Sequence, residues 1–110
     1  MPMFSFDKSS YESRLLELLQ DKFFKTAQRN KILAKWAAGR QGYKNESVDQ
    51  YVRDLIFSYL VMPSDRKMID KILSDFQNAN ILISENEVRE KIKSIETRIK
   101  NKAEINKNVR

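Results

Sequence analysis

The residues of this chain best equipped for chemistry lie in RNKILAKWAAGRQG, positions 29–42. With Lys44 just beyond, residues 29–44 hold five cations (Arg29, Lys31, Lys35, Arg40 and Lys44), no carboxylate, and the only tryptophan, Trp36. Cations around an aromatic ring suit three tasks: gripping phosphates, meeting an acidic protein surface, or keeping the outside of a packed helix in water. Catalysis is not among them. The chain has no histidine, which removes the commonest general base and metal ligand, and no cysteine, which removes disulfides and thiolate metal sites. Two glycines and two prolines leave no glycine-rich loop to cradle a phosphate. No catalytic residue, metal or cofactor is expected.

Charge placement separates the three tasks. The net charge is +6 and the isoelectric point about 9.6. Residues 29–44 carry +5, residues 81–110 carry +3, residues 45–61 carry −2, and the rest balances. This is a split basic bias and not a continuous stripe along which a phosphate backbone would run. A small basic helical nucleic-acid-binding protein is the competing reading, with a helix-turn-helix fitted between Tyr51 and Phe76. Against it, Asp65, Asp70 and Asp75 fall on the exposed side of the segment that would read bases, where carboxylates repel phosphate. No apolar run approaches the ~20 residues that span a bilayer. The leading MPMFSFDKSS lacks the basic flank and apolar core of a secretory signal, so a cytoplasmic setting without membrane insertion is expected.

The elements that must position these residues are helices. Val48, Tyr51, Val52, Leu55, Ile56, Tyr59 and Leu60 form one apolar stripe at helical spacing, with a capping box at Ser47–Gln50 and a stop at Pro63. Ser64-Asp65 is predicted to cap a third helix facing inward through Ile69, Ile72, Leu73 and Phe76, closed at Asn78-Ala79-Asn80. Ser84 and Glu87 make a second capping box, ahead of a fourth helix with the seam Val88, Ile92, Ile95 and Ile99. Ile81-Leu82-Ile83 reads as an extended connection pinned to the core.

The first helix is the longest. At about 100° per residue, Leu15, Leu16, Leu19, Ala27, Asn30, Leu33, Ala34, Ala37 and Ala38 gather around Phe23, with Leu18 and Trp36 at the edge. The alanines admit a neighbouring helix closely, the cations flank the stripe as a solvated rim, and Gly39 or Gly42 ends the helix. Trp36 reads as core. Asn30 is expected to bond a neighbouring backbone group, because an unpaired amide on an apolar face is costly. The predicted fold is all-α: a four-helix, antiparallel, bundle-like domain with a long first helix. It divides into a flexible or partly helical segment 1–19, a domain 20–102 whose core begins near Phe23, and a fraying tail 103–110.

Set in order, Phe4, Tyr11, Phe23, Arg29-Asn30-Lys31, Leu33, Trp36-Ala37-Ala38 and Gly42 carry a resemblance. An early aromatic, a phenylalanine, the string R-N-K-x-L-x-x-W-A-A and a following glycine resemble the ATPase-inhibitor family, the zeta subunits of alphaproteobacterial F-type ATP synthases. Tyr51, Phe76 and the helix start at Ile83–Arg89 match in kind, so the likeness runs over residues 4–100. It implies a regulatory subunit whose leading segment docks into a catalytic alpha/beta interface of the F1 head, beside the central stalk. There it blocks ATP hydrolysis and reverse rotation.

Carried over by position, the docking segment is residues 1–19. Phe4, Phe6, Tyr11, Leu15 and Leu16 are its apolar anchors, and Asp7, Glu12, Arg14 and Glu17 its charged partners. Phe23, Arg29, Asn30, Lys31, Leu33, Trp36, Ala37, Ala38 and Gly42 are then the structural motif. The implied partners are the alpha, beta and gamma subunits of the head, not nucleic acid. The free protein is expected to be a monomer, and the bound one peripheral to the inner membrane. Some members of the family bind adenine nucleotide, and that ligand stays open for this chain. A segment that orders only on docking gives up affinity per unit area but can thread a crevice.

Overall fold

The computed structural model describes residues 6–108, with side chains from Glu12 to Ala103. Four helices follow in order: α1 Phe6–Arg40, α2 Glu46–Val61, α3 Asp65–Asn78 and α4 Glu85–Asn108, with no strand among the described residues.

Single residues write the breaks between them. After α1, the Tyr43 N–H donates to the Ala38 carbonyl at 3.0 Å and the Gly42 N–H to the Gly39 carbonyl at 3.0 Å. That paired closure requires a left-handed residue, and Gly42 supplies it with φ 88°. α3 closes in the same way, through Ile81 to Phe76 at 2.8 Å and Asn80 to Gln77 at 3.0 Å, with Asn80 at φ 60°. α3 and α4 start on serines: Ser64 Oγ accepts from the Lys67 N–H and Ser84 Oγ from the Glu87 N–H, both at 3.1 Å. α2 departs from the expected Ser47 box. Its cap is Asn45, with no side-chain bond, and Ser47 already lies in the first turn with its N–H on the Lys44 carbonyl at 3.1 Å. The closure at Gly42 leaves so short a link that the helix restarts ahead of the serine.

One core joins all four helices. α1 contributes Leu33, Ala34, Ala37 and Ala38, and α2 contributes Tyr51, Val52 and Leu55. Met68, Ile69, Ile72 and Phe76 come from α3, and Val88, Ile92 and Ile95 from α4. α1 packs against α2 and α4, and α3 against the same two. The fully buried alanines of α1 hold the neighbouring helices close, as their size predicts. Trp36 is only half-buried, tilted over the fully buried Phe76 with ring centroids 5.8 Å apart, so it lids the core without filling it. Ile81 and Ile83 tuck against the core while Leu82 between them is 97% exposed, which is the pinned extended link.

The core begins later along α1 than its periodicity places it. Phe23 is 61% exposed, Leu15, Leu16, Leu18 and Leu19 are exposed too, and the first buried residues among those described are Arg29 and Asn30. Length is the reason. At the usual rise α1 spans about 52 Å, whereas α2 and α3 span about 24 and 21 Å. Much of the N-terminal half of α1 therefore projects past α2 and α3, while α4, about 36 Å long, still flanks it as far as Asp21 and Phe24, in a molecule 60 Å long and 28 Å thin. α1 starts at Phe6, inside the leading segment expected to be flexible or partly helical, and α4 continues to Asn108, into the tail expected to fray. Extending a helix that already exists costs little per residue.

Candidate partner-binding surface

Where α1 enters the body, one arginine reaches every other helix. Arg29 Nη2 donates to Asp65 Oδ1 at 2.8 Å, at the start of α3, and Nη1 to Asp65 Oδ2 at 3.3 Å. The same Nη1 donates to Glu96 Oε2 of α4 at 2.8 Å, and Nε to Asn30 Oδ1 at 3.1 Å. The guanidinium lies 5.9 Å from the centroid of the Tyr59 ring on α2, whose hydroxyl donates to Asp65 Oδ1 at 3.1 Å. Burial opposes the charge on Arg29, but its hydrogen bonds to Asp65 and Glu96 outweigh that and hold its pKa above the ordinary value. The bond from Arg29 holds the Asp65 carboxyl below the usual carboxylate range, while burial and then the Asp65 charge push the Tyr59 hydroxyl up.

Two expectations change here. Arg29 is a buried tie and not part of the solvated rim, and Asn30 is satisfied by the Arg29 side chain instead of a backbone group. The carboxylates that capture Arg29 lie 36 and 67 residues away in sequence, beyond the reach of any periodicity. The other cations behave as read. Lys31 and Lys35 are exposed and enter no ion pair among the described residues, while Arg40 and Lys91 sit 5.6 and 5.8 Å from the Trp36 ring.

Toward the N-terminus from Arg29, α1 presents Leu15, Leu16, Leu18, Leu19, Phe23 and Phe24, each about half to three-quarters exposed. Glu12, Arg14 and Glu17 are exposed among them, and Asp21 pairs with Lys25 at 3.2 Å. A run of large apolar side chains in water marks an interaction surface more than a resting one. Of the anchors expected from sequence, Leu15 and Leu16 stand here with Glu12, Arg14 and Glu17. Phe4 lies outside the described residues, as do the side chains of Phe6, Asp7 and Tyr11. Leu33, Ala37 and Ala38 are buried as structural residues, and Gly42 is the helix terminator.

A second exposed cluster adjoins the first. Phe57, Leu60, Val61 and Met62, at the end of α2, all show more than half their surface. A groove of about 310 Å³, lined by Leu19 and Phe23 on one wall and Leu60 and Pro63 on the other, connects them to α1. Leu60 belongs to the inward stripe by spacing, but no helix covers that end of α2. Phe24, Phe57, Val61 and Met62 escape the sequence reading. For Phe57 the available signal was its position off the α2 stripe, where a large apolar group has no intramolecular purpose.

A family model described as ATPase inhibitor subunit zeta matches residues 1–102. The chain belongs to the ATPase inhibitor subunit zeta family. Neither a curated protein nor a solved structure gives a match. The zeta family is one of regulatory inhibitor subunits, so an interaction with ATP synthase and a role in ATPase inhibition follow from membership. The match takes in the free half of α1 together with the packed body, so both belong to one zeta unit. Among its described residues, no helix is long and apolar enough to cross a membrane.

Proposed function

We propose that this zeta subunit restrains ATP hydrolysis by inserting residues 1–19 into a catalytic alpha/beta interface of the F1 head, beside the gamma subunit, and so blocks reverse rotation. The observation that carries the reading is the N-terminal half of α1, where Leu15 and Leu16 are about half exposed to water. An amphipathic helix with exposed apolar anchors is a recurrent way to fill a groove in a partner. Leu15 and Leu16 seat in the interface with Phe4, Phe6 and Tyr11, while Asp7, Glu12, Arg14 and Glu17 meet charges at its rim. Blocking a rotor makes and breaks no bond, so a chain without histidine or cysteine suffices. The body is the handle. The free protein works as a cytoplasmic monomer and meets the membrane only through the enzyme.

ATP hydrolysis by the cognate F1 head tests the proposal, with the full chain compared against residues 20–110. The full chain is expected to inhibit and the shortened one to fail, with an unchanged thermal transition, because the buried residues begin at Arg29. Equal inhibition by the two would remove the leading segment from the mechanism.

A further inference from the structure

The residues of the body not yet given a purpose are those at the C-terminal end of α2. Two grooves flank this end. The first, about 310 Å³, lies between Leu60 and Phe23, and the second, about 380 Å³, lies between Val61, Met62 and the start of α3. Their charged lining is of one sign: Lys22 in the first, Lys67 and Lys71 in the second, with no carboxylate in either. Lys71 is occupied by Asp75 at 3.0 Å, but Lys22 and Lys67 enter no ion pair among the described residues. Nearby the body pairs its charges carefully, Arg66 with Asp70 and Glu85 and Arg89 with Glu85. At this end two unpaired lysines thus stand beside uncovered apolar groups.

We infer that the end of α2 is a second docking surface, which seats an acidic amphipathic helix of the F1 head against Phe57, Leu60, Val61 and Met62. The inference rests on the insertion proposed above. Two observations select this occupant. The basic lining calls for carboxylates flanking an apolar face. The wall shared by Leu19, Phe23 and Leu60 also makes the surface continuous with the inserting helix, so whatever surrounds the root of that helix lies against α2 as well. The free half of α1 blocks the rotor, and this surface holds the body in place while it does so.

The test uses the full chain with Leu60→Asp and Val61→Asp combined, with Lys67→Glu alone, and with Leu82→Asp as a control at an exposed apolar residue lining neither groove. The readouts are the concentration giving half-inhibition of F1 hydrolysis, the maximal inhibition, and binding to anionic phosphatidylglycerol vesicles. The double variant is expected to raise the half-inhibiting concentration about 10-fold or more at unchanged maximal inhibition, as loss of an interface anchor does. Lys67→Glu raises it several-fold, and decides the matter alone if the double variant does not fold. Leu82→Asp matches the wild type. Variants within about twofold of an inhibiting wild type overturn this inference and leave the insertion standing. Vesicle binding that the same variants abolish overturns it in favour of a lipid surface. A wild-type chain that neither binds nor inhibits F1 overturns the insertion, and this inference with it.

Discussion

Residues 12–25 and residues 29–38 belong to the same unbroken helix, and both are rich in apolar side chains, yet only the second set is buried. The difference lies in reach: only the second set, Leu33 included, has α2 and α4 packed closely against it. Within the body α1 offers Ala34, Ala37 and Ala38, small enough for α2 and α4 to lie against the backbone. Outside the body it offers leucine and phenylalanine, which would stabilise a core by about 1.5–3 kcal/mol each if covered. A helix meant to stand alone in water carries polar residues all round. Large apolar groups left uncovered in this way mark a surface for another molecule, and the insertion proposed above seats them in the F1 head.

Phe76→Ala removes a fully buried ring from beneath Trp36 and should cost about 3–5 kcal/mol in denaturant titrations. A loss under about 1 kcal/mol would mean the four helices do not share that core. Arg29→Ala comes next, at about 2–3 kcal/mol, the low end for a broken buried ion pair because Asp65 and Glu96 still reach water. Arg29→Lys should recover little of it, since one ammonium does not serve both carboxylates through a planar fork.

Acid sharpens the same contrast more gently. The folded pKa of Asp65 is depressed, so on acidification the unfolded chain takes up that proton first. The stability it lends is fully present above its ordinary value of 3.8 and drains as pH falls from there through the lower folded value. Urea midpoints followed downward from neutral pH should fall in that window for the wild type and flatten for Asp65→Asn. The smallest stability effect belongs to the free half: Leu15, Leu16 and Leu19 together changed to serine should move the melting free energy by no more than about 0.5 kcal/mol. The same triple variant should lose most inhibition of F1 hydrolysis. A stability loss of several kcal/mol there would show that these leucines are covered after all.

Much of the body was legible because its signals are local. The serine caps at Ser64 and Ser84, the left-handed Asn80, the glycine stop at Gly42 and the 3–4 spacing of Val88 to Ile99 each act within a few residues of themselves. What escaped depends on distant geometry. Periodicity assigns Phe23 and Leu60 to inward faces, yet both are exposed, because the relative lengths of the helices decide whether anything lies opposite them. Arg29 looked like its basic neighbours until Asp65 and Glu96 arrived from other helices. The candidate surface was half legible: Leu15 and Leu16 were singled out through the resemblance, whereas the exposure of Phe57, Val61 and Met62 at the end of α2 shows itself only in the packed fold.

Between Phe6 and Ala38 the first helix contains neither glycine nor proline. It has none of the residues at which long helices bend sharply. Its outer end is thus joined without a hinge residue to the Arg29 junction, where the side chains of all four helices meet. Under the proposed insertion, a turning shaft that strikes this rod loads the junction of the whole fold, as it would load a strut and not a latch on a pivot.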